Sequence, residues 1–255
     1  MSNIIKNLFS EFNNANKDNT SININTQTSH KNEVNHAREL LKEATKLKRD
    51  KKFGEACDKL KEAYSVDGSE ELMTKERLRL PMYLQLAGKN DEGWKILNEL
   101  NITYTDAYSQ SDIANQMRVF LQKERKYKHS VIFGAWCICK NIECYQFNID
   151  GLIAMADEMV KLGMDDSEEF AEDDEIYAYT PNGNPITNKL FKLFQERIET
   201  ATSLDGVKNN LLPMLKKAKL AQDLDRIAME FSQYLKKSTN YDFTEVRDYF
   251  NEKFE

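Results

Sequence analysis

Small side chains recur along this chain at a fixed interval: Ala56, Gly93 and Ser130 stand 37 residues apart at each step. The pattern around each one returns as well. Phe53, Ala56, Leu60 and Ala63 have counterparts in Asn90, Gly93, Leu97 and Leu100, and again in Tyr127, Ser130, Gly134 and Cys137. Within each set the spacing is that of one helix face. Self-similarity at a period of this size marks stacked helical pairs, because a single pair cannot bury its apolar side alone. The composition agrees, since 9 Gly and 4 Pro in 255 residues disfavour a turn-rich β-sandwich.

The first copy is the clearest. Ala37, Leu40, Leu41, Ala44 and Leu47, then Phe53, Ala56, Leu60, Ala63 and Tyr64, predict two amphipathic helices joined by the charged turn Lys48-Arg49-Asp50-Lys51-Lys52. Ala44, Ala56 and Ala63 let the two backbones approach closely, while Leu40, Leu47, Phe53 and Leu60 fill the space around the contact. The result is an antiparallel helical hairpin. In the second copy Pro81 falls inside the first helix, where it removes a hydrogen bond and is expected to kink the chain. In the third, Arg118 takes the corresponding small position, and Gly134 stands where a large apolar residue is usual.

On these residues the segment from 37 to about 140 resembles the tetratricopeptide repeat (TPR) family, whose unit of about 34 residues is a helix-turn-helix. Leu40, Ala44, Leu47, Phe53, Ala56, Leu60 and Ala63 match signature positions of that family, and Glu43 and Gly68 depart from them. The resemblance implies an all-α fold of helical-hairpin repeats forming an α-solenoid, and a habit of binding proteins or peptides without naming a substrate. Some members clamp chaperone tails with Lys, Asn and Arg. The corresponding places here hold Leu41, Thr45, Arg79, Asp112 and Gln116, so that partner is not expected.

Three regions follow: a segment 1–32, a repeat region 33–148 and a helical carboxyl-terminal region 149–255. In the first, Ile4, Ile5, Leu8, Phe9 and Phe12 predict a short amphipathic helix, and the Asn, Ser and Thr of 13–32 read as a flexible tether. In the third, a helix is expected over 149–162, then an acidic run, then a small β-hairpin around Pro181-Asn182-Gly183-Asn184. Four more helices close the chain, centred on Phe191, Leu211, Ile227 and Phe250, with a bend at Pro213. The acidic run holds eight carboxylates within 165–175, so a net charge of −6 leaves +2 for the remainder.

Chemistry is sparse. Three histidines, His30, His36 and His129, leave few members for a nucleophilic relay. His129 and Cys139, ten residues apart on one helix, would stand about 15 Å apart. Cys137, Cys139 and Cys144 lack the paired spacing of a zinc site and read, with Cys57, as buried reduced thiols. No phosphate-cradling glycine motif and no EF-hand spacing occur. No cofactor, metal, nucleic acid or membrane is therefore expected, and the localisation expected is cytoplasmic.

In the resembled family the concave face is lined by the first helix of each repeat. That register places Arg38, Thr45, Lys48 and Arg49 on the face from the first copy, Lys75, Met82 and Gln85 from the second, and Asp112, Asn115, Gln122 and Lys123 from the third. Five cations against one carboxylate favour an acidic partner. The function expected is a non-enzymatic scaffold or adaptor. A regulatory subunit for a toxin, nuclease or transcription factor is the first alternative. The second is an enzyme using Asp173 or Glu175 with Tyr177 or Tyr179.

Overall fold

A helix leaves its last four carbonyls without partners, and the chain must turn sharply if the next helix is to pack against it. In this computed structural model, which describes residues 24–163, 175–238 and 240–254, one backbone turn solves that problem three times. Helix α1 (Ile24–Arg49) is followed by α2 (Phe53–Ala63), α4 (Arg79–Leu86) by α5 (Asn90–Thr103), and α6 (Ala107–Lys123) by α7 (Tyr127–Lys161). Lys51, Gly88 and Arg125 hold φ of 62, 77 and 61°, the left-handed conformation that ends many helices. After them the amides of Lys52, Lys89 and Lys126 donate to the carbonyls of Leu47, Leu84 and Leu121 at 2.9, 2.8 and 2.9 Å. Lys51, Gly88 and Arg125 themselves donate to Lys48, Gln85 and Gln122, each at 3.1 Å. All the participants are 37 residues apart.

The fold is predominantly helical, with one two-stranded sheet among the described residues. It divides between Leu72 and Met73 into two units. In the first unit, α1 and α2 bury Ala37, Leu40, Leu41 and Ala44 against Ala56, Cys57, Leu60 and Ala63, and a 3-10 turn at Ser69–Glu71 packs on α1. Helix α1 begins at Ile24, inside the stretch expected to be a tether. That stretch contains no Gly or Pro to stop a helix already nucleated downstream. The expected helix at 4–12 lies outside the described residues.

The second unit opens with the interruption that Pro81 imposes. Helix α3 (Thr74–Arg77) and α4 are separated at Leu78, beside the Arg77 carbonyl that an amide at position 81 would have bonded. Helix α6 packs on α3, α4, α5 and α7, which places the second and third hairpins side by side. Their contact is specific: Thr74 and Ser109 hydroxyls lie 2.7 Å apart, Trp94 Nε1 donates to Glu124 at 2.9 Å, and the Trp94 and Phe120 rings are 4.9 Å apart. Gly93 makes room, because a Cβ there would stand 2.7 Å from the Phe120 ring and 3.2 Å from the Pro81 carbonyl.

Helix α7 runs unbroken through residues 148 and 149, where Tyr145-Gln146-Phe147-Asn148 contains no breaker. Its first half serves the third hairpin. Beyond it, α8 (Leu190–Thr202), α9 (Leu204–Ala218) and α11 (Phe243–Phe254) pack on α7, and α10 (Leu224–Lys237) packs on α8 and α9. One core joins Val131, Ala135 and Cys139 of α7 to Leu211 and Leu215 of α9, Phe231 of α10 and Phe250 of α11. Strands β1 (Ala178–Tyr179) and β2 (Pro185–Ile186) pair antiparallel around the expected turn, which Gly183 closes at φ 86°. Pro213 lies within α9 without ending it. No described helix is long and apolar enough to cross a membrane.

Two glycines give opposite expectations. Gly93→Val should lower stability by about 1–3 kcal/mol through overpacking against Phe120 and Pro81. Gly151→Ala, where an added Cβ meets nothing within 4 Å of helix α7, should raise it by about 0.5–1 kcal/mol. Chemical denaturation of the two variants beside the parent checks both signs.

Candidate functional site

The expected binding side chains are carried by first helices, and their surroundings decide which are available. On α1, Arg38 and Arg49 are exposed, Lys48 is half-buried, and Thr45 turns its hydroxyl back to donate to the Leu41 carbonyl at 2.9 Å. On α3 and α4, Lys75 is exposed with its ammonium 3.7 Å from the Asp112 carboxylate, and Met82 is half-buried. Asn115 and Lys123 are exposed on α6, where Asn115 accepts from the Arg118 guanidinium at 2.7 and 3.1 Å. Lys75, Met82, Gln85, Asn115, Gln122 and Lys123 thus share three packed helices of the second unit.

Two expected contact residues are occupied within the fold. Gln85 donates through Nε2 to the Phe120 carbonyl at 3.0 Å, tying α4 to the end of α6. Gln122 accepts from Lys217 of α9 at 2.8 Å, so the carboxyl-terminal region claims it. The polarity of both was legible, but their partners lie 35 and 95 residues away and no local pattern announces them.

Arg118 and Gly134, both anomalies in the repeat pattern, explain each other. A Cβ on Gly134 would lie 3.2 Å from Arg118 Cδ and 2.1 Å from the Met214 sulfur. The large side chain on α6 and the incoming α9 are admitted by removing a side chain from α7. The turns carry a sequence mark of their own, the recurring Leu47, Leu84 and Leu121 with Lys52, Lys89 and Lys126.

Among the residues named for an enzyme, Glu175 is exposed, 4.0 Å from Lys192, and Lys192 lies over the Tyr177 ring at 5.9 Å. Tyr179 is 64% exposed. Asp173 and most of the acidic run 165–175 lie outside the described residues. A shallow cleft of about 380 Å³ is lined by Ile138, Asn141 and Tyr145 of α7, Leu193, Glu196 and Arg197 of α8, and Asn210 of α9. Its polar groups are partly committed: Asn141 accepts from Ser111 at 2.7 Å, and Arg197 covers the Tyr145 ring at 5.5 Å.

All four cysteines are thiols outside any disulfide. Burial pushes Cys137 and Cys139 above the ordinary thiol range and Cys144 up to about 12. Among the described residues no group of three or more His, Cys, Asp or Glu is placed to hold a metal. Asp157 of α7 accepts from Thr180, Asn184 and Asn182 and so pins the hairpin to α7; the Thr180 bond leads in holding its carboxyl below the usual range.

No family model, no curated protein and no solved structure matches the chain.

At neutral pH Cys144 should carry roughly a thousandfold less thiolate than an ordinary cysteine, given about 12 against a usual 9.0. A disulfide reagent should therefore leave Cys137, Cys139 and Cys144 untouched in the native chain and modify them on denaturation. Rapid stoichiometric labelling of all three in the folded state would contradict the packing. The Asp157 carboxylate is favoured in the folded state, so its hold on the hairpin is present above the ordinary carboxyl pKa and fades as pH falls through its lowered value. In Asp157→Asn the hairpin amides, followed by hydrogen exchange, should lose protection at pH 7 and lose their response to acid.

Proposed function

We propose that the chain is a non-enzymatic scaffold or adaptor of tetratricopeptide-like repeats, of the α-solenoid kind, holding a protein or peptide partner on the first helices of its hairpins. The observation that supports this reading is the turn repeated at 37-residue spacing, together with the stacking of the second and third hairpins through α6. Stacked hairpins present a row of parallel first helices, an extended surface suited to an elongated ligand. On that row Lys75, Met82, Asn115 and Lys123 are at least partly exposed. The only carboxylate expected there, Asp112, faces Lys75, so Lys123 favours an acidic partner.

Peptide-display selection on the full chain tests the reading. It should enrich acidic peptides whose binding falls about tenfold in Lys75→Glu/Lys123→Glu, the effect of losing two ion pairs of up to about 1 kcal/mol each. The variant Lys95→Glu/Lys161→Glu, with the same charge change on second helices, should bind as the parent does. Failure to select any peptide, or equal loss in both variants, would contradict the proposal.

A further inference from the structure

The carboxyl ends of α6 and α9 meet through their side chains. Met214 of α9 packs over Gly134, next to Arg118 of α6, and one turn later Lys217 of α9 reaches Gln122 of α6 at 2.8 Å. The two final turns and the α6–α7 connection carry Lys123, Arg125 and Lys126 from one side and Lys216, Lys217 and Lys219 from the other. All six are exposed. Glu124 is the only carboxylate in these segments, and it is 9% exposed, held by Trp94 Nε1 at 2.9 Å and Lys126 at 2.8 Å. Asp223, the next acid along the chain, faces Arg226 at 3.3 Å. Among the described residues Lys123, Arg125, Lys216, Lys217 and Lys219 thus have no carboxylate within ion-pair distance.

Cations at a helix carboxyl end ordinarily offset its dipole. That accounts for only part of this cluster: each end contributes about half a negative charge, about −1 for two, against five cations. A surplus of roughly +4 remains on a chain whose net charge is −6. We infer that this end of the second unit is a docking surface for a short acidic segment of a protein partner.

A nucleic-acid duplex fits less well, because binding of that kind draws on about six to ten phosphate contacts along a wider basic face. A membrane fits less well too. Surface helices that bind lipid bring apolar side chains with their lysines, and none of the large exposed apolar residues lies in either turn. The inference goes beyond the repeat-face reading, since α9 lies outside the repeats.

The test uses the full chain and a fluorescent decapeptide of alternating Glu and Ser, followed by anisotropy at 50 and 300 mM salt. Binding at low salt should weaken at least tenfold at high salt, and at least tenfold in Arg125→Glu/Lys216→Glu/Lys217→Glu/Lys219→Glu, which leaves the repeat-face Lys75 and Lys123 intact. A control reversal of Lys95, Lys161, Lys189 and Lys236 carries the same charge change and should stay within twofold of the parent. The four corresponding Gln substitutions give the same reading if the Glu variant melts early. No binding at 50 mM salt, an equal loss in the control, or tighter binding of a ten-nucleotide DNA strand or phosphatidylserine vesicles would overturn the inference. Loss in Lys75→Glu/Lys123→Glu with the end cluster silent would sink this surface and spare the repeat face.

Discussion

The structure depends on a backbone turn in which one residue adopts positive φ so that the following amide can reach back to a leucine carbonyl. Without it the end of each first helix would leave carbonyls unpaired, and the second helix would not start where its small residue meets the first. Only Gly88 does this freely. Lys51 and Arg125 hold φ of 62 and 61° at a cost of about 1–2 kcal/mol each for a residue with a side chain. Three sequence-distinct segments therefore accept the same conformation, and the local hydrogen bonds together with hairpin packing outweigh the strain at two of them. Lys219 ends α9 in the same way, with Leu220 donating to Leu215 at 2.8 Å, so the motif also serves outside the repeats.

From the turns the packing follows by exchange of volume. Where the second hairpin has Pro81 and Phe120 nearby, Gly93 yields the space; where the third has Arg118 and Met214, Gly134 yields it. This second exchange has a larger consequence, because it lets α9 pack on α7 with Met214 beside Arg118 of α6. Helix α7, twice the length a hairpin needs, then carries the remaining helices, so the third hairpin and the carboxyl-terminal region share one core. The half-buried Lys140–Glu143 pair strengthens that union: the two charges lie 2.7 Å apart, Lys140 sits over Trp136 at 4.3 Å, and Glu143 accepts from the Tyr241 amide at 3.2 Å.

Much of this was legible in residue spacing. The starts of α2, α5 and α7 at Phe53, Asn90 and Tyr127 are those the pattern marks, and the helices around Phe191, Leu211, Ile227 and Phe250 form where their apolar faces predict. The β-hairpin sits at its Pro-Asn-Gly-Asn turn. Periodicity fails where no breaker is present, which is why α1 extends back to Ile24 and α7 through residue 148. It also fails for long polar side chains. Exposure of Arg38, Arg49, Lys75, Asn115 and Lys123 follows from helix position, whereas the commitments of Gln85 and Gln122 depend on helices distant in sequence.

A scaffold reading stands or falls with the equivalence of the hairpins, and equivalence stands on the turns. The most direct measurement is the change in unfolding free energy at two corresponding positions. Arg125→Gly should raise stability by relieving left-handed strain, while Gly88→Ala should lower it by about 1 kcal/mol for the same reason. If instead Arg125→Gly destabilised the chain as a helix-interior glycine would, the third turn would not share the conformation of the second, and the repeat account would be contradicted.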